Sequence, residues 1–261
     1  MKTEKLIDFI QEFDSINRKI LVNRVFIFSD IAALRLNYQE QRDFLHLIQD
    51  SNKGRAVFLP AFTYNSRHSK PYNKYEIPSK QNGSLTRVAF AENLHMENRS
   101  LDEDYSYLIL NSDKLTDSEL NDLNIWREKS FGENSHHTSL LKNDALVYCI
   151  GKGFTSGFSL AMHIEALIGV PYRSFVELPS QVVEGNSKKY FSKQMEAIPY
   201  NISIDRETAT DMLRSANTSL FAEKDFGNEF KVYVFLWSLY QEVVSKSLVL
   251  DPHFFCRSLE P

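Results

Sequence analysis

"ALVYCIGKGFTSGFSLAMHIEALIGVPYR", Ala145 to Arg173, carries the pattern that decides the fold class. ALVYCI is a short apolar run, which reads as a strand buried on both faces. GKGFTSG is a glycine-rich turn. GFSLAMHIEALI has the length and spacing of a helix, and GVPYR stops it and starts the next strand. The unit is strand, turn, helix, strand. Working outward, the same unit recurs upstream. VFIFSD (Val25 to Asp30), RAVFLPAF (Arg55 to Phe62, stopped by Pro60) and YSYLIL (Tyr105 to Leu110) read as buried strands. Between them the periodicity predicts helices near residues 37–50, from Ser84 to Leu94 and from Ser118 to Glu128, after a first amphipathic helix built on Leu6, Phe9, Ile10 and Phe13. This alternation predicts an α/β sheet with helices on its faces. Beyond Pro171 the pattern changes. PYRSFVEL and KKYFSKQMEAI read as paired strands on a more open sheet, followed by a helix near Arg206 to Ser215. Phe230 to Leu250 is too apolar for a surface helix, so part of it belongs to the core. Residues 1–261 read as one domain with an embellished C-terminal half.

The chain has 261 residues, of which 43% are hydrophobic and 25% charged, with a net charge of -4. That supports one large core and an ordinary mixed surface. No basic stripe is available to neutralise phosphates, so nucleic acid is not expected as a partner. Two cysteines, Cys149 and Cys256, cannot build a disulfide framework or a cysteine-rich zinc site. A reducing cytoplasm is the expected compartment. No apolar run approaches the ~18 residues of a membrane span.

The motifs are individually weak. In GKGFTSG a dinucleotide-binding turn needs its third glycine at Ser156, and the glycine falls at Gly157. DEDYS (Asp102 to Ser106) reads either as a solvated loop or as a carboxylate site for a cation or basic substrate. His136 and His137 are adjacent and diverge on any regular element, and no His-Glu-x-x-His pattern occurs, so no metal is expected. Neither a Gly-x-Ser-x-Gly elbow nor a cysteine motif is present.

Four stretches taken in order carry more. VFIFSDI, FLPAFTY (Phe58 to Tyr64), FGENS (Phe131 to Ser135) and the segment from Gly157 through GVPYR resemble the aminoglycoside 3-N-acetyltransferase family, in the branch found in bacterial surface-polysaccharide pathways. DPHFF (Asp251 to Phe255) is a weaker echo. The resemblance implies a mixed α/β sheet flanked by helices. It also implies acetyl-CoA as acyl donor and an amino sugar as acceptor, whose amine attacks the thioester directly. Such a reaction needs a proton acceptor for the ammonium and donors aimed at the carbonyl oxygen. Ser29, Asp30, Ile31, Thr63 and Ser135 are the implied cofactor-binding residues, and His163, Glu165 and Asp102 the implied catalytic ones.

The chain departs from the family pattern at its histidines. Phe28 precedes Ser29 where the family has histidine. Asp102 and Tyr105 replace both histidines of an Arg-Ser-x-His-Pro-x-His-Ser motif, and Met162 stands three residues before Glu165 where the family histidine belongs. At ~100° per residue, His163 points nearly opposite to Glu165. Leu160, Ala161, Ile164, Leu167 and Ile168 form an apolar stripe, and Met162, Glu165 and Ala166 lie on the other side. His163 is therefore either a displaced catalytic base or a structural histidine. Two alternatives stand beside the transferase: a fold-retaining homologue that binds or assembles without catalysis, and a nicotinamide enzyme resting on GKGFTSG. The Trp237 to Leu250 segment is a candidate homodimer face.

Overall fold

The computed structural model of the chain describes residues 2–16, 21–63, 73–92, 98–102, 104–151, 159–184, 187–197, 202–205, 207–227 and 230–258. The turn residues 152–158, His68, His95 and Glu103 lie outside the described residues, and so does the anion-facing reading of GKGFTSG.

The four apolar runs form β1 (Arg24–Ser29), β2 (Ala56–Pro60), β3 (Tyr107–Leu110) and β4 (Leu146–Gly151). With β8 (Phe221–Asp225) and β9 (Lys231–Leu236) they make a six-stranded sheet in the order β3-β2-β1-β4-β9-β8. β1 runs parallel to β2 and β4, with Val25 opposite Val57 and Leu146. β3 and β9 run antiparallel to their neighbours, so the sheet is mixed. The runs are apolar throughout because alternate residues enter two different cores. Phe26, Phe58, Tyr107, Val147 and Cys149 face one core, which Leu140, Leu160 and Tyr240 close. Val25, Ile27, Val57, Leu146 and Tyr148 face the other, closed by Leu6, Phe44 and Leu85. The first set of covering residues comes from α5 (His136–Leu140), α6 (Ser159–Ile168) and α8 (Trp237–Leu250), and the second from α1 (Lys2–Ile16), α2 (Tyr38–Ser51) and α3 (Ser84–Ala91).

The open sheet expected beyond Pro171 is a separate antiparallel pair, β5 (Ser174–Glu184) with β6 (Ser187–Ala197). A second small pair joins β7 (Ile202–Ile204) to β10 (Cys256–Ser258), and α7 (Thr208–Ser215) lies near its expected place.

Several expected boundaries move. α3 ends at Ala91, short of Leu94. α4 (Asp117–Leu123) opens on a Thr116–Glu119 capping box and stops before Glu128, because Asn124 takes the cap and its amide reaches back to the Leu120 carbonyl at 2.9 Å. β8 was not expected, since its Ala-Glu-Lys-Asp stretch is the polar edge of the sheet. Phe230 to Leu250 divides in two. Leu236 stays extended, the Trp237 amide bonds the Ala145 carbonyl at 2.8 Å, and Asp144 receives the Ser238 amide and hydroxyl at 3.0 and 2.6 Å. A carboxylate borrowed from the β4 approach thus caps α8. The apolar face of α8 packs within the chain through Trp237, Tyr240, Val244 and Leu248, leaving Val249 and Leu250 exposed. No helix among the described residues is long and apolar enough to cross a membrane.

Candidate active site

α6 is the centre of the site. Its expected two-faced character does not hold: every residue from Ser159 to Glu165 is buried, while Leu167, expected in the apolar stripe, is 37% exposed. Glu165 tolerates burial because the Arg173 guanidinium lies 2.5 Å away, and both side chains are almost wholly enclosed. A buried carboxylate needs such a partner. His163 points elsewhere. Its Nδ1 accepts the Gly132 N–H at 3.2 Å, so the neutral ring carries its proton on Nε2. Burial, and then the neighbouring His137, hold its pKa down at about 3. At neutral pH it is an uncharged N–H donor. The His137 ring stacks 6.0 Å from it and the Trp237 ring lies 6.5 Å away.

The loop that fixes His163 is SFGENS, Ser130 to Ser135. Gly132 sits at φ +81°, where a side chain is strained, and an added Cβ would lie 3.4 Å from the Ala166 Cβ. Thr138 donates its hydroxyl to the Gly132 carbonyl at 2.8 Å, and Ser135 caps α5 by accepting the Thr138 N–H at 3.2 Å. Ser135 therefore acts on the backbone of its own loop. Asp102 supports the same loop from the other side. It is 1% exposed, and it accepts the Asp104 and Tyr105 amides at 3.0 and 2.8 Å and the Ser130 hydroxyl at 2.9 Å. DEDYS is thus a buried turn at this residue, not a solvated one.

His137 lies beneath. Its Nδ1 meets the Ser130 carbonyl at 2.8 Å, an acceptor only, so the proton is on Nδ1 and Nε2 faces the Tyr107 hydroxyl at 3.4 Å. That hydroxyl is 2.5 Å from Ser159 Oγ. His136 turns away to Ser100 Oγ at 3.0 Å, its ring at 89° to that of His137. No group of three or more His, Cys, Asp or Glu able to hold a metal occurs among the described residues.

Above this network opens a cleft of about 350 Å³. His163, Leu141, Leu167 and Trp237 line it, and so do the polar side chains of Glu133, Asn134, Lys142 and Gln241. The volume is at the lower end of the ~300–1,000 Å³ range of small-molecule sites.

Ser29, Asp30 and Ile31 are placed at the end of β1. The Asp30 amide bonds the Ile150 carbonyl at 2.7 Å, and a Cβ on Gly151 would lie 2.1 Å from the Asp30 carbonyl, so the ends of β1 and β4 touch. Ile31 is buried and Asp30 exposed. Thr63 joins the Asp104 carbonyl through its amide at 3.2 Å. Beside Ser29, α3 lines a groove of about 450 Å³ with Tyr38, Ile77, Arg87 and Phe90. A larger groove of about 830 Å³ lies by Arg24 and Glu119 at the opposite end of β1. There burial raises the Glu119 pKa, but the Thr116 N–H and the Arg24 guanidinium bring it to about 2. Arg24 also donates to the Ser139 and Leu140 carbonyls, so this pair serves the end of α5.

Sequence reasoning missed Glu133, Asn134, Gln241 and Trp237, which come from two separate stretches. The only signal was FGENS itself.

No protein-family model matches the sequence, and no curated protein matches it. Solved structures do. An aminoglycoside acetyltransferase AAC-VIa bound to sisomicin aligns with a TM-score of 0.69 at 11% identity, over 94% of this chain and 96% of that one. AAC-IIIb in a binary complex with CoASH aligns at 0.65 and 13%, over 92% of each chain. The YokD protein of Bacillus subtilis aligns at 0.64 and 13%, over 87% of each. The mixed sheet with flanking helices is the fold of these proteins.

Proposed function

We propose that this chain is an acyl-CoA-dependent N-acyltransferase, with acetyl-CoA as donor and the amino group of an amino sugar, such as a surface-polysaccharide precursor, as acceptor. One observation carries the reading: a buried, uncharged imidazole with a fixed tautomer lines a cleft on a fold shared with AAC-IIIb, whose structure holds CoASH.

The chemistry follows from that tautomer. Because Nδ1 already accepts a hydrogen bond, His163 does not take the amine's proton. It supplies an Nε2–H to the thioester carbonyl oxygen as charge develops there. The acceptor ammonium loses one proton to water at the open mouth. The amine nitrogen then bonds the carbonyl carbon and the C–S bond breaks. The second amine proton ends on the departing sulfur, giving amide and thiol. Glu165 and Asp102 are positioning residues in this scheme. Glu165 anchors α6 through Arg173, and Asp102 anchors the loop that holds His163. The ends of β1 and β2, with Ser29, Asp30, Ile31 and Thr63, receive the coenzyme, and the Tyr38–Arg87 groove offers an apolar wall with one cation for its nucleotide end.

The test is thiol release from acetyl-CoA in the presence of an amino-sugar panel. His163→Ala is expected to lower turnover roughly 10²- to 10³-fold while acetyl-CoA still binds. If no acyl-CoA binds at about millimolar concentration, the reading is lost. A second reading, a homologue that binds without turnover, is favoured by the same engaged Nδ1. Thiol release that requires the amino sugar removes it.

A further inference from the structure

The β5–β6 hairpin is a sheet of its own. Each strand runs 11 residues, and no third strand joins them among the described residues. The register is regular from Ser174 opposite Ala197 to Glu184 opposite Ser187, with no bulge. Ser174 to Glu177, at the base of β5, are exposed. Phe175 and Val176 are neighbours and so lie on opposite faces, yet each is 40% exposed. Neither face is covered there. A two-stranded ribbon is marginal in water, and further strands make it stable.

The two edges of the ribbon differ. Pro179 pairs with Ser192. Proline has no N–H to give to the ladder, so at this pair the backbone groups point away from the partner strand. The outer edge of β5 therefore lacks a donor near its centre, and proline blocks it. On β6 the same pair sets the alternation. Lys188, Tyr190, Ser192, Gln194 and Glu196 turn their N–H and C=O groups outward, and every donor on that edge is intact.

The sequence of β6, SKKYFSKQMEA, is complementary to its own reverse. Paired antiparallel about Ser192, two copies overlap along all 11 residues, with Ser187 against Ala197. Lys188 then stands opposite Glu196, Lys189 opposite Met195 and Lys193 opposite Phe191. No like charges meet. Centred on Phe191, the pairing sets Lys189 against Lys193; centred on Lys193, it sets that lysine against its own copy. Like charges directly opposite are destabilising. The lysines that protect this edge from other strands thus single out one register with itself.

We infer that the chain forms a two-fold dimer through β6, making a continuous four-stranded antiparallel sheet across the two copies. Assembly closes at two, because both outer edges are then β5 edges carrying Pro179. An interface of 11 residues a side is smaller than the ~20–30 of a standard one, so the expected Kd is roughly 1–100 μM. The dimer does not rest on the transferase reading.

The experiment is sedimentation velocity of the full chain from about 1 to about 200 μM, in ~50 mM salt so that exposed charges are weakly screened. Monomer and dimer are expected, and nothing larger. Gln194→Pro removes an outward N–H and leaves the ladder to β5 intact, so it is expected to abolish the dimer at unchanged Tm. Lys188→Glu and Glu196→Lys are each expected to raise Kd roughly 10-fold, because the two-fold axis converts two attractive pairs into repulsive ones. Combining the two substitutions restores opposite charges and is expected to bring Kd back within about 3-fold of the wild type. A misfolded hairpin would show no such rescue. The inference is overturned by a chain that stays monomeric at about 200 μM, by oligomers beyond the dimer, by a dimer indifferent to Gln194→Pro, or by a double variant as weak as the single ones.

Discussion

His163 is defined by what its Nδ1 accepts. Its pKa of about 3 lies below the ~6.5 of an unfolded histidine. The unfolded chain therefore takes up a proton first as the medium is acidified. The stability tied to this residue is complete above pH ~6.5 and is lost as pH falls from there towards about 3. His163→Gln, which keeps an acceptor for the Gly132 N–H, is expected to flatten the decline in Tm between pH ~6.5 and ~4.5, the part of the window above most carboxylate titration. A parallel decline in wild type and variant would mean that the imidazole is solvated. Glu165 makes a different prediction. Its partner Arg173 stays charged and enclosed when the carboxylate is removed, so Glu165→Gln is expected to lose about 3–5 kcal/mol in urea unfolding. A loss under ~1 kcal/mol, typical of an exposed pair, would place this pair in water.

At the scale of elements, the site depends on short pieces that propensity barely supports. α5 has five residues, too few to persist on its own, and it survives by its capping box and by packing. Ser135→Ala is expected to cost about 1 kcal/mol and, through Thr138 and Gly132, to loosen the hold on His163. Slowed thiol release at unchanged acetyl-CoA affinity would register that second effect; a purely thermal defect would deny it. The long elements were legible because apolar runs and 3.6-residue periodicity are local signals. α5, β8 and the break between β9 and α8 were not. A five-residue helix carries less than two turns of periodicity, an edge strand with one face in water is not an apolar run, and the β9–α8 break is made by Asp144, remote in sequence.

For the whole molecule, the three-layer arrangement brings the ends of β1 and β4 together on one side and α5, α6 and α8 around one cleft. Ligand binding to such a preformed site stabilises the folded state by mass action. Acetyl-CoA at about 100 times its Kd is expected to add ~2.7 kcal/mol, or roughly 5–10 °C in Tm for a chain of this size. No shift with any acyl-CoA would count against a coenzyme site. The sequence by itself determined the α/β class, the four central strands and the paired strands after Pro171. Each of these is a property of neighbouring residues, and burial on both faces leaves a mark in every residue of a strand. Only the tertiary structure decided that Glu165 belongs to Arg173, that Asp102 serves a loop, and that Glu133 and Gln241 meet beside His163. Those outcomes depend on which distant group the packed fold places against a given hydrogen-bonding atom. The Gly132 amide that sets the tautomer lies 31 positions from His163, and no local spacing encodes that meeting.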